Sequence, residues 1–322
     1  MKAIVITKYG GPEVLQYKDV EKPSPTADQV LVKVKAASLN ASDSEIMRGS
    51  WASRLGGPLR TQHKILGTDI AGIVEMVGSN VTKFQPGDEV HGDLLYSNGY
   101  GAFAEYVCAL EKVLAPKPAS MTFEQAATYP ESGIIALQSL RGKREIQAGQ
   151  SVLINGAGGG MGSFGIQIAK YYGAEVTGVD SAIKLEMMKS IGADYVLNYE
   201  ETDYTRTGKR YDMILDTVAR RSLLSYRRAL NPNGMYIMVG GSRSALFQAI
   251  ILGPIVSRIG SKRYGINPID RDPMEDYEFL AELFETGKVV PVIDKVYPLS
   301  EVPEALRYLE EGLARGKVVI TM

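Results

Sequence analysis

The chain is poor in the residues that make covalent or metal chemistry easy to read. Its 322 residues include one cysteine, one tryptophan and two histidines. The lone thiol, Cys108, excludes an internal disulfide and fits a reducing, cytoplasmic compartment. His63 and His91 lie far apart without ligand spacing and are expected to be loop or strand-end residues. Charge of neither sign dominates: 36 Lys and Arg face 37 Asp and Glu, for a net charge of −1. That removes the electrostatic case for nucleic acid or an anionic membrane as a partner. Long apolar runs are missing too. Only residues 3–6 are apolar near the start, so no signal peptide is expected. The most apolar stretch, 245–259, is broken by Gln248, Gly253, Pro254 and Arg258 and is too short to span a bilayer. No Ser-His-Asp or Cys-His signature suggests covalent catalysis.

Glycine is what the chain has, and it is concentrated. Five glycines fall in the eight residues 155–162. Residues 152–154 before them form a short apolar run, as in a strand buried on both faces. Residues 163–172 after them place Phe164, Ile168 and Tyr171/Tyr172 at helical spacing, and Gly173 stops that helix. A second strand over 175–179 ends at Asp180. This is the layout of a dinucleotide-binding βαβ unit. Gly160, Gly162 and Gly165 spell the phosphate fingerprint one turn too late; the register on the strand end is Ala157-x-Gly159-x-x-Gly162. The expected pyrophosphate cradle is therefore Gly158, Gly159, Gly160, Met161 and Gly162. There the backbone comes close, and the helix start offers N–H groups and a favourable dipole.

Up to about Pro118, strands near 1–6, 30–36, 70–77 and 89–91 alternate with Gly-, Pro- and Asn-rich turns, as in a compact β-barrel-like domain. From Thr122 the texture changes. Helices are expected at 123–129 and 133–140, then the βαβ unit, a helix at 182–191, strands at 195–198 and 211–216, and a helix at 221–229. Asn231-Pro232-Asn233-Gly234 reads as a turn into a strand at 235–239. Strands alternating with helices imply a doubly wound parallel sheet. The tail has strands near 292–296 and 317–320 around a helix at 302–309. The fold class is α/β. The expected domains are 1–120 with 291–322, and 121–290.

Several segments together carry a family resemblance that covers the whole chain. They are Gly10-Gly11-Pro12-Glu13-Val14-Leu15, Ala36-Ala37-Ser38-Leu39-Asn40 with Asp43, and Gly67-Thr68-Asp69 leading to Ala71-Gly72. Pro86-Gly87-Asp88, Gly192-Ala193-Asp194 with Asn198-Tyr199, and Lys317-Val318-Val319-Ile320 complete the set. In this order the chain resembles a zinc-free medium-chain dehydrogenase/reductase of the quinone-oxidoreductase branch. The resemblance implies a GroES-like barrel domain closed by the C-terminal tail, a Rossmann domain between, an active site in the cleft, and homodimers paired through Rossmann edge strands. The strand-like residues 262–266 are expected at that edge.

By the same resemblance, the positions that hold zinc ligands in related enzymes carry Asn40, Thr68-Asp69 and Glu131, the last a carboxylate without partners. The four-cysteine structural lobe is absent from residues 92–106, so no metal is expected. A nicotinamide carries the hydride chemistry, and a neutral donor or ordered water suffices for the developing enolate. Asn40 is the candidate catalytic donor and cofactor contact; the competing reading is a turn residue whose amide bonds local backbone. Asp43 is expected to order the loop. Ser44 and Glu45 depart from the relatives, so no particular substrate follows.

The cofactor signals conflict. Asp180 at the second strand end suits the ribose hydroxyls of NADH and repels a 2′-phosphate. Ser181 and Lys184 follow on the same turn, and Tyr199 stands after the next strand. By resemblance, Lys and Tyr at these places frame the phosphate of NADPH, which the balance favours, with NADH open. Val218, Gly240 and Gly241 are further expected contacts at strand carboxyl ends. Lys317 resembles a basic position near the pyrophosphate, against an edge-strand surface lysine. The reading is a zinc-independent NADPH-preferring reductase of quinones or α,β-unsaturated carbonyls, acting on a small electrophile. The alternatives are an enoyl-thioester reductase, with Arg243, Arg258, Lys262 and Arg263 as the one basic cluster in view, and a low-turnover NADPH-binding redox-sensing protein.

Overall fold

The structure is a computed structural model, and it describes residues 1–59, 61, 63–96, 100–142, 145–267 and 273–322. The chain divides into two units. Unit 1 comprises Met1–Ser132, Arg271–Ala281 and Ile293–Met322; unit 2 comprises Gly133–Asp270 and Glu282–Val292. The division falls at 132 rather than 120. The short helix Phe123–Ala126 and residues Glu131 and Ser132 bond and pack with unit 1 strands, which ties them there.

Unit 1 is built on β1 (Lys2–Ile6), β2 (Leu15–Asp19), β3 (Gln29–Ser38), β4 (Asp69–Val77), β5 (Glu89–Asp93), β6 (Tyr106–Leu110) and β7 (Leu114–Pro116). Its barrel-type sheet also takes two strands from the tail, described below. β3 is longer and more deeply buried than its Val/Lys alternation suggests, because β4 and β6 pair with it and the core covers it.

Unit 2 carries β8 (Ser151–Asn155), β9 (Glu175–Asp180), β10 (Tyr195–Asn198), β11 (Tyr211–Asp216), β12 (Leu230–Met238) and β13 (Arg263–Ile266). All pair in parallel, in the order β10-β9-β8-β11-β12-β13. Numbered from β8 this is 3-2-1-4-5-6, the Rossmann order, with its switch point between β8 and β11. The expected turn at Asn231-Pro232-Asn233-Gly234 is instead a bulge inside β12. There Tyr211 pairs Leu230 while Met213 pairs Met235, and Asn233 takes φ 63°. Strand pairing overrides the local turn preference of Pro-Asn-Gly.

The tail returns to unit 1 as β14 (Ile293–Pro298) and β15 (Lys317–Thr321), which give that sheet the order β14-β15-β3-β4-β5-β7. β15 is therefore internal, and Lys317 does not stand on an edge. Among the described residues no helix is long and apolar enough to cross a membrane.

Candidate functional site

Two sets of functional side chains are organised, one in each unit. In unit 2 the turn after β8 leads into the helix Gly160–Tyr171, capped by Gly159 with no side-chain hydrogen bond. The first helical bond to the turn runs from Ser163 N to Gly159 O at 2.9 Å. The N–H groups of Gly160, Met161 and Gly162 precede it and point out of the helix start. Two glycines are required by space. Gly156 has φ +81°, and a Cβ there would lie 2.0 Å from Thr217 Oγ1. A Cβ on Gly162 would lie 2.3 Å from Gly156 O, so the helix start and the turn after β8 meet backbone to backbone.

Asp180, at the end of β9, is already engaged. Its Oδ2 accepts from Gly158 N at 2.9 Å and its Oδ1 from Ser181 N at 2.8 Å. Lys184 Nζ lies 3.4 Å from the same Oδ1. The Lys184 stem runs across Gly158, where a Cβ would meet its Cδ at 2.6 Å. Lys184 is thus a buried, paired lysine that closes the 3-10 turn Ala182–Lys184 and caps the α-helix Leu185–Ser190, not an exposed one. Tyr199 is half exposed, with its N–H on Asp180 O at 3.1 Å. Gly158, Asp180, Ser181, Lys184 and Tyr199 therefore stand together.

Across the switch point a second buried network fixes the strand ends. Asp216 accepts from Asn155 Nδ2 at 2.8 Å, Val218 N at 3.2 Å and Tyr236 hydroxyl at 3.2 Å. Val218 is half exposed beside it. Gly240 and Gly241 close on Thr217 and Ala219, and a Cβ would lie 2.6 Å from Thr217 O and 2.4 Å from Ala219 O respectively. The bond between Asn155 and Asp216, both at strand ends, was not foreseen in the sequence. The one signal was a second buried strand that, like β9, ends in Asp.

In unit 1 a buried polar cluster forms at one end of the sheet. Val319 pairs Ser38 across β15 and β3, Ser38 pairs Asp69, and Asp69 pairs Asp93. Extending the antiparallel register by two places sets Lys317 level with Asn40. Lys317 Nζ donates to Asn40 Oδ1 at 2.6 Å, to Ser132 Oγ at 3.1 Å and to Asp69 Oδ2 at 3.3 Å. These three bonds exhaust the ammonium. The ammonium expected near the pyrophosphate is thus held by three oxygens of unit 1.

Asn40 is held in the same network. Its Oδ1 accepts from Lys317 and Ser132, and its Nδ2 donates to Asp69 Oδ2 at 2.9 Å and Thr68 Oγ1 at 3.3 Å. Both amide hydrogens are engaged inside unit 1, and Asn40 caps the helix Ala41–Met47 in a capping box with Asp43. Asp43 orders the loop as expected, accepting from Asn40 N at 2.8 Å. Burial, with repulsion from Glu131 and Asp69, pushes the Asp43 carboxyl up to about 8 against the pull of that N–H.

Glu131 is far from partnerless. It accepts from Thr68 Oγ1 at 2.9 Å and Ser42 Oγ at 3.2 Å, and its N–H donates to Asp69 Oδ1 at 2.8 Å. Burial, with repulsion from Asp69, pushes it up to about 7. Asp69, Asp93 and Glu131 bring ligand oxygens within 4.8 Å of one another. His91 is buried, its Nε2 2.8 Å from the Tyr129 hydroxyl and its ring against Tyr277; burial holds it neutral, down to about 3. His63 stacks edge-on with Tyr100. In the expected basic cluster, Lys262 bonds Arg227 O at 2.5 Å, and Arg263 bonds Ser257 O and Gly260 O at 2.7 and 2.9 Å.

Residues 26–119 match the family described as alcohol dehydrogenase GroES-like domain, and 191–320 the family described as zinc-binding dehydrogenase. The chain is 33% identical to a 2-methylene-furan-3-one reductase of Solanum lycopersicum over 99% of its own length and 79% of that protein. It is equally similar, with the same coverage, to an NADPH-dependent alkenal/one oxidoreductase of Arabidopsis thaliana. Among solved structures, the quinone oxidoreductase of Coxiella burnetii superposes with TM-score 0.90 at 31% identity, covering 100% and 99% of the two chains. The Escherichia coli quinone oxidoreductase complexed with NADPH gives 0.86 at 27%, covering both chains in full at 100%. A catalytic zinc ion takes sulfur, nitrogen and carboxylate ligands around an open position. The group here offers carboxylates, without sulfur or imidazole, and holds an ammonium group beside Asp69.

Proposed function

The chain belongs to the medium-chain dehydrogenase/reductase superfamily, in its quinone-oxidoreductase-like branch, and on that premise we propose its chemistry. It is an oxidoreductase that uses NADPH, with no metal, to reduce quinones or α,β-unsaturated carbonyl compounds. The observation that carries the cofactor choice is the Asp180–Lys184 pair lying over Gly158. An unpaired Asp180 repels a 2′-phosphate, whereas a paired one is neutralised and has Lys184 beside it. Lys184, Ser181 and Tyr199 then read the phosphate, and the N–H groups of 158–162 take the pyrophosphate. Val218, Gly240 and Gly241 give backbone approach to the nicotinamide end.

When bound, the reduced nicotinamide supplies a hydride to an electrophilic carbon. The Asn40 amide is locked by Lys317 and Asp69, so its part is to shape the polar floor of unit 1. An ordered water, not a side chain, is assigned the developing enolate. The names of the relatives support the substrate class. An enoyl-thioester substrate is the second reading; in its basic cluster Lys262 and Arg263 also bond backbone carbonyls. The test is oxidation of NADPH and NADH by chelator-treated protein, with quinones, enals and enones as acceptors. Turnover that survives chelation and favours NADPH is expected. Turnover restored only by added zinc, or none with any acceptor, overturns the reading.

A further inference from the structure

Carboxylates gathered in a buried place are costly unless a cation stands among them. Asp69, Asp93 and Glu131 bring their oxygens within 4.8 Å of one another. Asp43, with no exposure, adds an Oδ1 that has no hydrogen-bond partner among the described residues. The cation present is Lys317, 2% exposed and 3.3 Å from an Asp69 carboxylate oxygen, with its charge also acting on Glu131 and Asp43. Lys317 and Asp69 stand at the centre of the group, while Glu131 also accepts from Thr68 and Ser42, Asp43 from Asn40 N and Asp93 from Leu95 N. Asp69 Oδ2 also accepts from Ser38 Oγ and Asn40 Nδ2, both at 2.9 Å, and Oδ1 accepts from Glu131 N.

We propose that Lys317 is a built-in substitute for a divalent cation: its ammonium, bonded to Asp69, supplies the positive charge that a metal ion beside Asp69, Asp93 and Glu131 would bring, and so keeps metal out. This rests on the metal-independent reading above and gives its cause. An ammonium bound by three oxygens supplies one fixed positive charge and leaves no open coordination position. Removing that charge while leaving the carboxylates should convert the group into an oxygen-rich metal site.

Cobalt(II) titrated into the purified full chain, followed by visible absorption and calorimetry, tests this. Wild type is expected to show no site tighter than millimolar. Lys317→Met is expected to gain one site per chain, at least a hundredfold tighter, and Lys317→Met combined with Asp93→Asn to lose it again. If Lys317→Met cannot be purified in folded form, it is refolded with and without cobalt(II), and recovery raised by the metal supports the proposal. A folded Lys317→Met with no gain in affinity, or recovery that cobalt(II) does not raise, overturns the proposal while chelator-resistant turnover leaves the metal-independent reading standing. One tight cobalt(II) per wild-type chain overturns the proposal, and turnover lost on its removal overturns the reading with it.

Discussion

Asp180 and Lys184 answer each other across one turn, and that pair decides what each substitution should do. Lys184→Ala removes the phosphate partner and leaves the buried Asp180 charge uncompensated. A charge-assisted contact to phosphate is worth roughly 1.5–3 kcal/mol, so KM for NADPH should rise about tenfold to a hundredfold, with NADH changing much less. Asp180→Ala should weaken NADH through the lost ribose contacts. Steady-state kinetics with both cofactors check this, and an equal loss for both in Lys184→Ala would show that the lysine does not read phosphate. Asp43 makes a second claim at this scale. Its carboxyl titrates near 4 when unfolded and is pushed up to about 8 by burial in the fold. The raised value means that its contribution to stability is full below about pH 4 and is lost as pH rises through about 8. Asp43→Asn should flatten the fall in stability between those limits by up to about 1.4 kcal/mol per pH unit, as read by urea melts across the range. An unchanged slope would place the titrating group elsewhere. Lys317 shows where sequence reading stops at this scale: its partners Asn40 and Asp69 are 277 and 248 positions away. No local pattern separates a surface lysine from one held by such distant groups.

The βαβ element was legible because its evidence is local. Apolar run, glycine turn and helical spacing follow one another within thirty residues, and each agrees with the next. The register Ala157-x-Gly159-x-x-Gly162 places the third glycine where the helix start and the turn after β8 touch, as the structure shows. The bulge in β12 was not legible. Pro232, Asn233 and Gly234 are strong turn signals, and they bulge between Leu230 and Met235, whose pairing on either side carries the strand through. Two alanine substitutions separate packing from ligand binding in the glycine turn. Gly162→Ala drives a Cβ to 2.3 Å from Gly156 O, so the helix must shift. A cost of about 1–3 kcal/mol follows from overpacking, and melting should show it without cofactor present. Gly159→Ala meets nothing nearer than Gly156 O at 3.5 Å. It should melt like wild type yet raise the cofactor KM, because the added methyl stands where the pyrophosphate approaches.

At the scale of the molecule, the two-unit organisation followed from a change of texture, short strands with turns giving way to alternating strands and helices. The place of β13 at a sheet edge was also legible, because 262–266 came last in the alternating run. The surface beside it was not. The helical run Arg243–Phe247, Gln248–Leu252 and Gly253–Ile259 exposes Phe247, Ile250, Ile251, Ile255 and Ile259, with Ile266 on β13 itself. An unpaired edge flanked by exposed apolar side chains suits a symmetric partner. We expect light scattering at micromolar concentration to give twice the chain mass, and Ile259→Glu, at 75% exposure, to shift it toward monomer without loss of fold. A monomer at that concentration would count against pairing.

Hydride delivery to carbon is the claim on which the rest depends. NADPH carrying deuterium at the transferable position of its nicotinamide, incubated with the chelator-treated protein and an α,β-unsaturated ketone, tests it by mass spectrometry and NMR of the product. The account predicts a saturated ketone with one deuterium on the β-carbon and the carbonyl intact. Deuterium on the carbonyl carbon of an allylic alcohol, or no transfer until zinc is supplied, would contradict it.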